Sequence, residues 1–483
     1  MKEEKKRKKL SKKSLNKEFA RITYLFVGLF LILMAYLVYF NVFKAKTIVK
    51  SPYNQRQNAF ADIIIRGDIL DANGYVLAET IVDENGNETR NYPYGREFAH
   101  VIGTGHRSIP KSGIESAENF SLLTSDTFFV NKIINDMNGV KNVGDTVVTT
   151  LDADLQQVAR KALGQNKGAV VVMEPKTGKI LSMVSAPDYD PNSAVSNWDA
   201  LNADEINSPL LNRATQGLYA PGSVFKVVTA LEFMREQPNF NEYTYDCNGE
   251  ISYEETTISC YNHHVHGTQD LRSSMANSCN ASFANIGLSL DKTKYRETAE
   301  KLLFNKKLPG PFESSKSRFV VDSGTGSSEI MMTAIGQGDT MVSPYHMALI
   351  TSAIANDGVL MTPYVVDKIT NHRGQEISKN VPKSYKKLMT KEEADYLQKY
   401  MEAVVTEGTA TYLSGQSYSV AGKTGTAEYS VDDKSKSHSW FIGFSNVDNP
   451  DIALCVVIEG SDGDSEAKAV PIARSIFDYY YSK

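Results

Sequence analysis

No His-Glu-x-x-His pair and no Walker loop occurs in this chain. The commonest signatures of metal-dependent hydrolysis and of nucleotide-driven chemistry are therefore missing. The stretch SGTGSSE at 323–329 has Gly324 and Gly326 but lacks the third glycine of a dinucleotide turn. There is no internal repeat, and no low-complexity linker follows the N-terminal tail, which excludes solenoids and tethered arrays. Positive charge is scarce beyond residue 21. The whole chain carries −5, its first 21 residues +7, and so the other 462 residues −12. An acidic body of that kind argues against nucleic acid as a partner. Charge of either sign is absent from the 22 residues Ile22–Phe43.

That uncharged run explains the basic head before it. As a helix it is roughly 33 Å long, enough to cross a hydrocarbon layer of about 30 Å. Arg21 and Lys44 flank it, and Tyr24, Tyr36 and Tyr39 suit its interfaces. The run is longer than a secretory core, and the nearest small-x-small site, Ala59–Ala61, lies far downstream. A single-pass signal anchor is expected at 21–43, with residues 1–20 as a cytoplasmic tail and the acidic remainder outside the cell membrane.

The remainder is globular in composition, with 41% hydrophobic and 23% charged residues in the chain as a whole, and too long for one ordinary domain. Just past the anchor, ADIIIRGDILDANGYVLAET has two β-branched runs around Asn73-Gly74, a hairpin signal. Residues 44–150 read as a small α+β module. A larger domain is expected over 151–483, opening with a helix near Asp152 that turns Leu155, Val158, Ala159 and Leu163 to one face. GAVVVMEPKTGKILSMVSAP then reads as a strand hairpin, SVFKVVTALEFMR at 223–235 as a buried helix, and HSWFIGFSN and DIALCVVIEG as late strands before a closing helix. The fold class is α/β (α+β): a sandwich whose sheet mixes early and late segments.

Of the four cysteines, Cys279 and Cys455 read as isolated buried residues, while Cys247 and Cys260 stand 13 apart. An exported domain permits a disulfide between them. His263, His264 and His266 follow, so zinc is the lesser alternative: the cysteine spacing does not suit a knuckle. No metal or other cofactor is expected.

The tripeptide Lys-Thr-Gly occurs twice, at Lys176–Gly178 and Lys423–Gly425. Ser-x-x-Lys occurs six times, from Ser14, Ser108, Ser223, Ser289, Ser384 and Ser465, and Ser-x-Asn three times, from Ser14, Ser278 and Ser378. Context selects among them. Ser223 alone follows a turn, LYAPG, and opens an apolar helix. One helical turn places Lys226 beside it, near enough to take its proton, and apolar neighbours lower that lysine's pKa. Ser278 and Asn280 share a bend between helices, where a hydroxyl can relay a proton and an amide can hold a substrate. Small residues surround Lys423, so its strand can accept a peptide along its edge. Thr424 and Thr426 offer hydroxyls to a carboxylate, and the N–H groups of Ser223 and Thr426 can form an oxyanion hole. Lys176 sits in a charged turn ahead of the nucleophile.

In that order, Ser223-x-x-Lys226, Ser278-x-Asn280 and Lys423-Thr424-Gly425 behind a signal anchor resemble the penicillin-binding proteins. NRATQGLYAPGSVFK, IGQGDTMVSPYHMALITSAIANDGVLMTPY and HSWFIGFS are similar to further stretches of that family, and RGDILDANG to the membrane-proximal motif of its class B members. The likeness runs over roughly residues 60–480. It implies a serine β-lactamase-like transpeptidase fold on a membrane-proximal pedestal. It also implies a D,D-transpeptidase acting on peptidoglycan stem peptides of a lipid-linked precursor polymer, β-lactams as covalent inhibitors, and a polymerase of the SEDS family as partner. Ser223, Lys226, Ser278 and Lys423 become the catalytic set; Asn280, Thr424, Gly425 and Thr426 become substrate contacts. The 107 residues between anchor and residue 151 are too few for a glycosyltransferase domain, and the 58 residues after Gly425 leave no room for a PASTA domain. Where the motif has a basic residue, this chain has Ala72.

Three readings follow. The first is the transpeptidase. The second is a β-lactamase or D,D-carboxypeptidase, which needs a base aimed at water; EKLLFN at Glu300–Asn305 comes within one residue of such a segment. The third is a non-catalytic scaffold that activates a polymerase.

Overall fold

A computed structural model describes residues 1–44, 62–125, 140–431, 434–461 and 469–483, with Asn135 and Met137 besides. Ala59–Ala61 and Ser465 lie outside the described residues. The chain divides into two compact units, Met1–Ala59 and Phe60–Lys483.

The first unit is a helix, Lys2–Tyr39, ending in a π-helical turn, Phe40–Lys44. Its stretch Phe19–Lys44 has a mean hydropathy of 2.3 and is long and apolar enough to cross a membrane. Between Phe19 and Leu37 its leucines and phenylalanines are exposed, as a lipid-facing helix requires.

The second unit is built on two sheets. A five-stranded antiparallel sheet runs in the order 420–431, 434–445, 453–461, 168–173, 180–186. Early and late segments do share it, because the strand Ala453–Ser461 pairs with Gly168–Met173. Those central strands are buried on both faces. They read as continuous Val/Ile/Ala runs because helices cover each side. The helix Ala153–Leu163 packs with the closing helix Ala469–Tyr481 on one side. The helix Pro344–Ala355, buried at all twelve positions, packs on strands of the same sheet. Asp152 caps the first of these helices by accepting from Leu155 N–H at 2.9 Å, and Leu155, Ala159 and Leu163 are buried while Val158 is half-buried.

A six-stranded sheet in the order 376–379, 366–370, 146–149, 69–70, 76–82, 88–91 runs across residue 150. The Asn73-Gly74 turn closes its hairpin: Asp71 accepts from the N–H groups of Asn73 and Tyr75, both at 2.8 Å, and Gly74 sits at φ +91°. Asp71 also accepts from Ala153 N–H, so the hairpin is tied to the start of the next helix.

Beside it Glu115, fully buried, receives Arg66 at 2.5 Å and Arg90 at 2.7 Å. Burial pushes the Glu115 carboxyl up, but the two guanidinium charges outweigh that and hold it at about 2. The folded value lies below the unfolded one of about 4.3. The ion pairs therefore stabilise the fold fully above that value and lose their contribution as pH falls towards 2. Glu115→Gln strands two buried cations and should cost about 3–5 kcal/mol in chemical denaturation at neutral pH. A cost under about 1 kcal/mol would mean that the triad is solvated in solution.

Candidate active site

Ser223 lies on a 3₁₀ turn, Gly222–Phe225, that runs into the helix Lys226–Glu236. The helix is anchored by apolar packing: Val224 and Phe225 are fully buried, and Phe225 meets Phe304 and Phe319. Gly222 has φ +55°, and its N–H donates to Gly336 O at 2.8 Å. A Cβ on Gly222 would lie 2.4 Å from Thr426 O, and one on Gly425 would lie 3.1 Å from Val224 N and 3.1 Å from Pro221 O. The Ser223 turn and the Lys423 strand thus interlock through two glycines. Trp440, opposite Gly425 in the ladder, donates from Nε1 to Ala220 O at 3.0 Å and fixes the same approach. Gly222→Ala should slow acylation at Ser223 at least tenfold and cost about 1–3 kcal/mol of stability. Acylation kinetics and thermal melting read the two effects, and a near-wild-type rate would refute the interlock.

Two lysines converge on one hydroxyl. Lys226 Nζ donates to Ser278 Oγ at 3.2 Å, to Ser278 O at 2.7 Å and to Asn280 Oδ1 at 2.7 Å. Lys423 Nζ donates to the same Ser278 Oγ at 2.9 Å and to Thr424 O at 3.0 Å. Both amines are fully buried. Burial lowers Lys226 to about 8. Burial, with the nearby charge of Lys226, brings Lys423 well below the ordinary lysine value. Two cations this close in a dry site repel, so one of them is favoured as the free amine. Ser278 itself sits at φ +53° between the helices Leu271–Ala276 and Asn280–Ser289. A serine in the left-handed region costs energy, and here that conformation places its hydroxyl between the lysines.

The structure brings Ser223, Lys226, Ser278, Asn280 and Lys423 to one place, with two differences from the expectation. Lys226 points at Ser278 and Asn280 rather than at Ser223, and its three polar contacts are made there. Asn280 spends its carbonyl on Lys226 and its amide N–H on Ser259 O at 3.0 Å, so it orients the lysine. The Thr424 hydroxyl pairs with Thr409 Oγ1 at 2.7 Å. Thr426 is half-buried on the edge strand. Sequence reasoning missed Thr409 and Gly336, whose link to the site is a fold contact with no local signal.

The other Lys-Thr-Gly copy is a turn. Lys176 is exposed and reaches Asn449, and Thr177 donates to Glu174. The segment Glu300–Asn305 holds no free base: Glu300 pairs with Arg296 at 3.1 Å, and Asn305 is bonded to Phe319 O at 2.9 Å and Phe319 N–H at 3.1 Å. Cys279 departs from expectation: it is not isolated but lies 3.7 Å, sulfur to sulfur, from Cys260. Cys247 and Cys260, whose pairing the sequence leaves open, are unbridged.

Comparison with known proteins agrees with this geometry. Residues 168–478 match the penicillin binding protein transpeptidase domain, and residues 66–147 the penicillin binding protein A dimerisation domain. The peptidoglycan D,D-transpeptidase PbpA of Mycolicibacterium smegmatis is 31% identical, over 95% of this chain and 98% of its own. The crystal structure of PBPA from Mycobacterium tuberculosis superposes with a TM-score of 0.78 at 29% identity, covering 86% of this chain and 98% of that one. Its penicillin G acyl-enzyme complex gives 0.77 at 28%, covering 86% and 99%. With its ordered serine and lysine motifs, its mixed sheet and these matches, the chain belongs to the penicillin-binding protein transpeptidase family, among the class B-like members.

Proposed function

We propose that this protein is a membrane-anchored peptidoglycan D,D-transpeptidase that works through an acyl-enzyme on Ser223. The observation that carries the reading is the meeting of two buried, pKa-lowered lysines on the Ser278 hydroxyl, beside the nucleophile turn. Ser223 Oγ attacks the penultimate D-alanine carbonyl of a stem peptide lying along the Lys423 strand. Its proton passes to Lys226, three residues on, which as the free amine must turn its lone pair from Ser278 and Asn280 towards Ser223 to accept it. Ser278, bonded to both lysines, hands a proton to the departing D-alanine amine. The N–H groups of Ser223 and Thr426 hold the oxyanion, while Lys423, with the Thr424 and Thr426 hydroxyls, attracts the terminal carboxylate. An amine of a neighbouring stem then takes the acyl group, which forms the cross-link and frees Ser223.

The basic head places residues 1–20 in the cytoplasm and the catalytic unit outside. A SEDS-family polymerase supplies the uncross-linked strand, meeting the anchor and the module at 44–150. A donor stem peptide with an acceptor amine tests the reaction: a cross-linked product is expected, and hydrolysis alone would turn the reading towards a carboxypeptidase.

Because the working base is a neutral amine, penicillin acylation should slow as pH falls and rise towards alkaline pH. A flat rate profile between about pH 6 and 9 would remove the lysines from the base role.

A further inference from the structure

Two helices that lead into the candidate site also border a cavity of about 400 Å³ outside it. Leu271–Ala276 runs on to the Ser278 bend. Lys391–Thr406 runs on to Thr409, whose hydroxyl meets that of Thr424. The two helices pack on each other, and the short turn Phe240–Glu242 supplies a further wall.

Three aromatic rings line this cavity: Phe240, Tyr396 and Tyr400. The Phe240 and Tyr396 rings meet edge to face at 4.9 Å, and those of Tyr396 and Tyr400 lie 6.1 Å apart. Polar groups fill the rest of the wall. Asp270 spends Oδ1 on the N–H and hydroxyl of Ser273, at 2.6 and 2.5 Å, and its other oxygen has no partner among the described residues. The Glu402 carboxylate has none among them either. Tyr400 carries the most weight. It is 5% exposed, yet its hydroxyl makes no hydrogen bond among the described residues. A buried tyrosine hydroxyl ordinarily finds a partner, and this one belongs to a ring that lines the cavity.

The mixture of rings and planar polar groups defines a ligand chemistry. A pyranose ring offers an apolar C–H face to an aromatic ring, and a rim of hydroxyl and acetamido groups to carboxylates and phenols. Arg272 and Lys399 stand in this wall against Asp270 and Glu402, so two cations balance two carboxylates and the wall suits a neutral ligand. The position agrees. The helix Leu271–Ala276 has 6 residues; at 1.5 Å each, with the two residues beyond, Ser278 lies roughly 10–15 Å from the cavity. A stem of about five residues carries its penultimate carbonyl about four residues from its sugar, at most about 14 Å when extended.

We infer that the cavity between Leu271–Ala276 and Lys391–Thr406 binds the glycan strand of the substrate, a polymer of N-acetylated amino sugars, while the stem it bears reaches Ser223. The identity of this ligand rests on the transpeptidase reading. The sugar packs against the rings of Phe240 and Tyr396. The Tyr400 hydroxyl donates to an acetamido or hydroxyl oxygen, and Asp270 and Glu402 accept from sugar hydroxyls. No bond is made or broken there. Holding sugar and peptide at two points makes the second contact intramolecular, so stems borne on polymer are favoured over free peptide.

The test uses the full chain purified in detergent, titrated calorimetrically with an N-acetylglucosamine tetramer and with glycan strands stripped of their stems. Wild type and Ser223→Ala should bind the stripped glycan alike, so a failure of the Ser223 chemistry and a failure of this site are told apart. Tyr396→Ala should weaken binding at least about tenfold, and Tyr400→Phe and Glu402→Gln at least about threefold. Tyr400→Phe removes only the hydroxyl and keeps the packed ring, so it should melt with the wild type. It should raise KM for a glycan-borne stem by the same factor and not KM for the free stem peptide. Tyr75→Ala, which removes an exposed tyrosine of the Asn73-Gly74 hairpin, should bind glycan as the wild type does. Wild-type protein that binds neither probe at millimolar concentration overturns the inference. So do folded Tyr396→Ala and Tyr400→Phe proteins with wild-type affinity, or a loss in Tyr75→Ala as large as that in Tyr396→Ala.

Discussion

Ser223→Ala should form no covalent adduct with penicillin. The wild-type chain, incubated with labelled penicillin and digested, should carry the label on the peptide containing Ser223. The variant should show none, because Ser223 stands on the turn that opens the apolar helix, three residues before the buried Lys226. Removing a nucleophile of this kind costs about 10⁶-fold in turnover, and covalent chemistry is lost outright. Its side chain is half-buried on a well-packed turn, so the variant should melt within a few degrees of wild type. Label on another residue, or a labelled variant, would overturn the nucleophile assignment. The lifetime of the wild-type adduct is equally informative: release within seconds would mean a hydrolase, and persistence is the mark of a transferase whose acceptor is absent.

The second large effect separates the two Lys-Thr-Gly copies. Lys423→Ala should slow acylation of Ser223 about 10²–10⁴-fold, because it removes both the charge offered to the carboxylate and one partner of the Ser278 proton relay. Lys176→Ala should leave the rate within about twofold, since its side chain is exposed and meets only Asn449. Lys423 is fully buried, so truncation also leaves a cavity. Lys423→Met fills that volume without the amine. If the methionine variant folds and still acylates at the wild-type rate, Lys423 has no part in the chemistry.

Much of this site was readable because its parts are local. The turn before Ser223, the apolar helix after it and the small residues around Lys423 each sit within a dozen residues, and each marks its own backbone geometry. The hairpin around Lys176 was legible for the same reason. What eluded the sequence depends on distant pairing. Lys226 turns from Ser223 because Ser278 and Asn280, more than 50 residues on, supply its acceptors. Glu115 meets Arg66 and Arg90 across 49 and 25 residues. Cys279 looked solitary because a helix separates it from Cys260, and only the folded bend returns it. Thr409 is tied to Thr424 through the packing of an edge strand, which leaves no pattern in either segment.

The strand order of the main sheet has a consequence for the time of synthesis. The serine lies at 223, but the edge strand that completes its surroundings is 420–431 and is seated by the strands 434–445 and 453–461. A chain emerging amino end first displays Ser223 long before that wall arrives. Contacts of such long separation form late. The growing chain is therefore chemically silent. The antibiotic-sensitive centre is among the last parts of the molecule to come into being.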